Sequence, residues 1–211
     1  MAELPAVELL HAHHAHRSRW RNGLGWTREL HAEPSDVDAG WCWRLSIAEI
    51  GQPAAFSRFE GIARELMLLS GDGLTLRFDD GETADLQPPH ARLRFDGGRA
   101  LQGEPAGPGV SVLNLMWRAD QVEAALWHRP LVGTMVVFVD PGDCWGAHVI
   151  AGQARMTGCD GPPLERGDTV VLRGTGARRR HVLDGAGELL LFRISPVTAR
   201  AQVTTSEPVA R

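Results

Sequence analysis

Short runs in which apolar and polar residues alternate recur along this chain, and most are closed by Gly or Pro. Trp43, Leu45 and Ile47 alternate with Arg44, Ser46 and Ala48, and Leu74, Leu76 and Phe78 alternate with Thr75, Arg77 and Asp79. Successive side chains of a strand point to opposite faces, so each run predicts a strand with one face in a core. Segments 92–95, 110–116, 135–139, 147–151, 169–172 and 188–194 read the same way or as buried strands. The 24 Gly and 13 Pro are spread in small clusters between these runs rather than gathered in one linker. Many short strands so punctuated predict an all-β sandwich or barrel. Segment 120–128 fits a short helix or a strand equally well.

An internal repeat organises the strands. Leu69-Ser70-Gly71, Asp79-Asp80-Gly81, a Pro pair, and a run at 92–95 closing on Gly97 form one block. Ile150-Ala151-Gly152, Cys159-Asp160-Gly161, a Pro pair, and a run at 170–173 closing on Gly174 form another. The offsets are 81, 80 and 77 residues, a drift that loop insertions absorb. Two copies of one β-block predict a duplicated small barrel.

Composition removes whole mechanisms. All 22 cations are Arg; Lys and Tyr do not occur. Schiff-base chemistry needs a primary amine, and the P-loop needs its lysine on the phosphates, so both are excluded. Arginine stays charged and cannot serve as a base, but it grips carboxylates in bidentate geometry. With 26 acidic residues the net charge is −4 and the arginines are scattered, so no nucleic-acid partner is expected. Cys42, Cys144 and Cys159 form no C-x-x-C and no even set, which predicts reduced thiols. No apolar run approaches the ~18 residues of a membrane span, and the N-terminal residues lack a signal-peptide pattern, so a cytoplasmic protein without membrane association is expected.

The first motif of small jelly-roll barrels of the cupin type runs G-x5-H-x-H-x3-4-E-x6-G, with the two His and the Glu binding a metal. Gly51 and Gly71 fit its glycines in the first block, and the ligand positions then fall on Ser57, Phe59 and Arg64. In the second block Gly133 and Gly152 fit, and the positions become Val139, Pro141 and Trp145. Neither set suits a transition metal, so no metal and no cofactor is expected in either barrel. Arg64 would put a cation where a metal sits. A buried guanidinium needs an anionic or hydrogen-bonding partner, either a ligand or an internal carboxylate such as Glu60, Glu65 or Asp85. The segment from Asn22 to Glu29 adds amide, hydroxyl and guanidinium groups beside two glycines, in Asn22, Thr27 and Arg28. Its bland reading is a turn entering a strand.

Four ordered motifs then resemble the HutD/Ves family. Residues 20–29, Trp-Arg-Asn-Gly-Leu-Gly-Trp-Thr-Arg-Glu, are similar to its W-K-N-G-G-G-x-T-R-E opening, and 43–49 to its W-R-[IL]-S-x-A-x strand. Residues 56–64 resemble F-S-x-F-P-G-x-x-R, with the family's L-x-G following within Leu68–Gly71, and Leu113-Asn114-Leu115-Met116 resembles F-N-V-M. The matches span 20–116. Leu24 replaces the middle glycine, Arg21 a lysine and Glu60 a proline. The resemblance implies a single-chain bicupin: one unit over 1–211, with jelly-roll barrels near 20–118 and 119–196. It also implies a bacterial protein associated with histidine utilisation, or its stress-related relative, acting as a non-enzymatic modulator that binds a small acid such as urocanate or formylglutamate.

Combined, these readings predict a small-carboxylate site in the N-terminal barrel made by Arg64 with Asn22, Thr27, Arg28, Ser57 and Asn114. Trp20, Trp26 and Trp43 are candidates to wall a planar ligand. A metal-independent isomerase or lyase is the alternative, and its base would be Glu29, Glu49 or His90. A structural role with a sealed pocket is the third. The histidines at 11, 13, 14 and 16 are expected to be solvated rather than to hold a metal. Jelly-roll sheet edges often pair across a two-fold axis, so a homodimer is expected.

Overall fold

The computed structural model describes residues 5–20, 23–159 and 161–197. The expected all-β class holds for these residues, with sixteen strands and one short 3₁₀ turn at Ala12–His14. The first strands are β1 (Val7–Leu10), β2 (His16–Arg19), β3 (Gly25–Pro34), β4 (Trp41–Ile50) and β5 (Ala54–Ala55). Next come β6 (Ile62–Ser70), β7 (Leu74–Phe78), β8 (Thr83–Leu86), β9 (Arg92–Asp96), β10 (Leu101–Pro105) and β11 (Val110–Arg118). The last five are β12 (Val122–Val139), β13 (Cys144–Met156), β14 (Leu164–Glu165), β15 (Thr169–Arg173) and β16 (Arg179–Pro196). Segment 120–128, ambiguous by pattern, therefore leads into a strand. None of the described residues form a helix long and apolar enough to cross a membrane.

Three antiparallel sheets result. One runs β2-β3-β4-β11-β6-β9, a second β5-β10-β7-β8, and the third β1-β15-β13-β16-β12 with β14 paired to β13. The sequence repeat is built into this order. Strands β4, β6, β9 and β11 lie as β4-β11-β6-β9, and strands β12, β13, β15 and β16 lie as β12-β16-β13-β15. In each set the last strand in the chain inserts between the first two, and the third takes the outside. Gly97 and Gly174, which close the two sequence blocks, do the same work. Each donates its N–H to a carbonyl, Ile62 at 2.7 Å and Asp143 at 2.8 Å respectively. A Cβ on Gly97 would meet the Ile62 oxygen at 2.7 Å, and one on Gly174 would collide with the Asp140 oxygen. Only glycine permits such backbone approach.

The halves differ in detail. The first breaks into separate short strands to make its second sheet, whereas β12 and β16 stay paired over 18 residues each. Strand β1 also leaves its neighbours in sequence and pairs with β15.

Buried apolar residues form three clusters. One, around Leu66, Leu76 and Val112, belongs to the first half, and one, around Val139, Val149 and Leu183, to the second. The third joins them, packing Trp43, Leu45 and Leu115 against Leu126, Leu190 and Phe192. The Trp43 and Phe192 rings are 5.5 Å apart at this junction. Full burial of each such side chain stabilises by roughly 1.5–3 kcal/mol, so the halves are held by apolar packing as well as by the chain.

Candidate ligand-binding site

A cavity of about 370 Å³ lies on one face of the first sheet. Alternation builds it. On β4, Arg44, Ser46 and Ala48 are two residues apart and all reach the cavity. Register carries the same face across the sheet: Thr27 pairs with Ala48, Ser46 with Asn114, and Met116 with both Arg44 and Arg64. Phe56, Ser57 and Phe59, from the segment between β5 and β6, cover one side. All three positions of the first cupin frame, Ser57, Phe59 and Arg64, therefore line one cavity.

Arg64 is the centre of its chemistry. The side chain is 4% exposed, yet among the described residues no carboxylate lies within ion-pair distance. Its Nη1 donates to the Ser57 carbonyl at 3.1 Å, and its Nε donates to Asn114 Oδ1 at 3.4 Å. The rings of Phe56, Phe59 and Phe95 stand 5.3–5.7 Å from the guanidinium carbon. Such cation–π contacts offset part of the desolvation cost, about 0.5–2 kcal/mol each. Burial, reinforced by the positive charge of Arg44, lowers the guanidinium to about 10, so it stays charged at neutral pH.

The carboxylates considered as internal partners are engaged elsewhere. Glu60 pairs with Arg58, Asp85 accepts from Thr75, and Glu65 is buried against Arg92 and Arg94. Arg19 and Arg44 also line the cavity, and Arg44 Nε donates to Glu29 at 2.6 Å. Trp20 walls it, with Nε1 donating to Thr27 Oγ1 at 2.8 Å and its ring edge-on to Phe56. The site is thus three guanidiniums, three hydroxyls and an amide beside aromatic walls.

Of the expected residues, Thr27, Ser57, Arg64 and Asn114 come together here. Asn22 lies outside the described residues. Arg28 requires a correction. It pairs with Ile47, one residue out of step with Thr27, and adjacent strand residues face opposite sides. It points to a smaller cavity of about 270 Å³ between the sheets, lined also by Ser70, Ser111, His148 and Arg166. There its Nε is buried without a hydrogen-bond partner among the described residues. His148 is held neutral in the same place: burial first, then the charge of Arg28, lowers it to about 4. Of the tryptophans, Trp43 is core and Trp26 lies on the surface beneath Arg17, so Trp20 alone walls the cavity.

Arg19 and Arg44 were missed. The run at 43–49 carried the signal for Arg44, since period two puts it on the face of Ser46. In the second cupin frame Val139 is buried, Trp145 stacks on Trp127, and Pro141 is exposed. At the N-terminus, His11 contacts Asp168 at 3.2 Å, a carboxylate distant in sequence, and His13 and His14 remain exposed. The three bases named for catalysis are elsewhere. Glu29 meets Arg44 outside the cavity lining, Glu49 meets Arg17, and His90 meets Glu188.

The family model described as HutD matches residues 12–191. The chain belongs to the HutD family. This HutD-family chain is 32% identical over 120 residues to a Pseudomonas putida protein described as an uncharacterized 21.2 kDa protein in the hutC 3′ region. That match covers 57% of this chain and 63% of the relative. It is 34% identical over 106 residues to protein Ves of Citrobacter koseri, covering 50% and 54% respectively. The chain thus spans less than two thirds of the length of these curated relatives. The structure of HutD from Pseudomonas fluorescens SBW25 superposes with a TM-score of 0.77 at 23% identity, over 92% of this chain and 100% of that one. At that identity the likeness is one of fold.

Proposed function

We propose that this HutD-family chain is a non-enzymatic binding protein that holds a small carboxylate of the urocanate or formylglutamate type and modulates bacterial histidine utilisation. The observation that carries this reading is Arg64, a buried guanidinium without a carboxylate partner among the described residues, facing a cavity that holds two further arginines. Family membership and the hutC-region location of the Pseudomonas putida relative support the pathway. The repeated strand order supports a bicupin, one unit with barrels near 20–118 and 119–196, and the proposed ligand cavity belongs to the first. The residues proposed to hold the ligand are Arg64, Thr27, Ser57 and Asn114, now joined by Arg44 and Arg19.

Charge-assisted hydrogen bonds contribute about 1.5–3 kcal/mol each, so micromolar affinity, about −8.2 kcal/mol, needs several of them together. The cavity supplies that number of donors, and Trp20, Phe56 and Phe59 supply an apolar wall. The lining contains no Asp, Glu, His or Cys among the described residues, which favours binding over an isomerase or lyase. The reading places the protein in the cytoplasm without a cofactor. It includes a homodimer, because β12 is an edge strand that pairs with β16 alone among the described residues. A light-scattering mass of one chain, 23.0 kDa, at tens of micromolar would count against the dimer.

The test is a thermal-shift screen with urocanate, formylglutamate, glutamate and histidine, with each acid afterwards checked for turnover. Stabilisation by one of the first two without conversion supports the proposal. Conversion would favour the enzyme, and no shift with any of the four would leave the sealed-pocket role.

A further inference from the structure

The structure assigns a second site, away from the cavity and from both cupin frames: a divalent transition-metal site made by His90, His128 and Glu188. Its three donor atoms lie within 4.8 Å of one another. His90 Nε2 is 3.4 Å and His128 Nε2 3.1 Å from the same oxygen, Glu188 Oε2. A tetrahedral ion with bonds of about 2.0–2.1 Å holds its ligand atoms about 3.3 Å apart, so two of the three edges are already near their final length.

The fold brings these residues together from both halves of the chain. Strands β12 and β16 pair His128 with Leu190 and Pro130 with Glu188. His128 and Glu188 are therefore diagonal neighbours on one face. His90, in the turn before β9, reaches across from the first half. It adopts φ +56°, a left-handed conformation uncommon for a residue bearing a side chain, and such outliers concentrate at functional positions. Its ring lies 4.4 Å from that of His128.

Hydrogen bonding gives the cluster its direction. His90 Nδ1 lies 3.2 Å from the Leu68 carbonyl, which can only accept. The proton of neutral His90 is therefore on Nδ1, and Nε2 offers a lone pair. That is the arrangement by which metal-ligating histidines are oriented through their outer nitrogen. With the Nδ1 proton committed to Leu68, an Nε2 facing a carboxylate oxygen at 3.4 Å calls for a positive charge there, either a second proton on the ring or a metal ion. One metal ion satisfies both imidazoles and the carboxylate at once.

The ligand set, two imidazoles and one carboxylate, suits Zn²⁺, Ni²⁺ or Fe²⁺ rather than Mg²⁺ or Ca²⁺. The side chains of His128 and Glu188 are 34% and 47% exposed, which leaves the outer coordination positions to water. Since His90 belongs to the first half and the other two ligands to the second, a bound ion ties the halves together and raises thermal stability by linkage. This site does not depend on the carboxylate reading of the Arg64 cavity.

The experiment is zinc titration calorimetry on the tag-free full chain carrying His11→Ala, His13→Ala, His14→Ala and His16→Ala, which removes the other histidine cluster. One equivalent of Zn²⁺ is expected, with a rise in melting temperature. His128→Ala and Glu188→Gln should each weaken binding at least about tenfold, the lower bound being what loss of even an outer-shell partner costs. Glu188→Gln keeps the side-chain shape, so its melting curve without zinc should match that of the parent. Zinc binding unchanged in both variants, or absent from the parent at sub-millimolar metal, overturns the assignment.

Discussion

Arg64 and Glu65 are adjacent in the chain, both buried, and served in opposite ways. Glu65, 3% exposed, receives Arg92 and Arg94 on one face of β6, while Arg64, 4% exposed, meets no carboxylate of the described residues on the other. The strand period of two causes the split. The Glu65 face closes against β12, because Arg94 Nη2 also donates to the Ala124 carbonyl at 2.6 Å and Arg92 donates to that of Leu126. The Arg64 face opens into the cavity. One strand thus carries a completed ion cluster on one side and an unmatched cation on the other.

Replacing Glu65 by Gln leaves the two arginines without their buried counter-charge. Both are about half exposed and keep their carbonyl partners, so the loss should fall below the ~3–5 kcal/mol of a fully buried pair, at about 2–3 kcal/mol. Urea unfolding measures it. A loss under about 0.5 kcal/mol, the size of an ordinary surface change, would mean the cluster does not hold β9 to β12.

His148 gives the fold a pH dependence. Its folded value, about 4, lies below the unfolded 6.5, so below 6.5 the unfolded chain takes up a proton that the folded chain refuses. The stability tied to the neutral ring is full above pH 6.5 and falls as pH drops toward 4, by up to about 3 kcal/mol. Urea melts at pH 7 and 4.5 should show this slope in the parent and a flatter one in His148→Asn. Identical slopes would remove His148 as its source.

Much of the fold was legible because its causes are local. Alternation marks the strands wherever one face is buried, and the paired glycines mark the repeat because Gly97 and Gly174 are both pressed against backbone oxygens. Arg64 was legible through the spacing of the cupin frame. What escaped depends on register or on distance along the chain. Arg28 stood beside Thr27 in a motif, but the pairing of β3 with β4 turns it to the opposite face. His90, His128 and Glu188 share no motif and meet only because the turn before β9 crosses to the second half. The pairing of β1 with β15 likewise has no local signature.

The glycines of the cupin frame and of the repeat make a further contrast. A Cβ on Gly51 meets nothing within 4 Å, whereas one on Gly174 collides with the Asp140 carbonyl. Gly51→Ala should therefore stay within about 0.5 kcal/mol of the parent, and Gly174→Ala should lose roughly 1–3 kcal/mol. Thermal melts of the two variants settle the order. The reverse order would mean that the backbone approach at Gly174 is not a structural requirement.

The proposed function requires that Arg64 meet a ligand carboxylate. Its most direct measurement is the ligand-induced shift in melting temperature for wild type, Arg64→Lys and Arg64→Ala, using the acid that stabilises wild type. Lysine keeps the charge but cannot make two parallel hydrogen bonds, so the shift should shrink markedly in Arg64→Lys. In Arg64→Ala binding should weaken by about 2–5 kcal/mol, enough to abolish the shift at concentrations that saturate wild type. Equal shifts in all three proteins would mean that Arg64 does not hold the ligand's carboxylate.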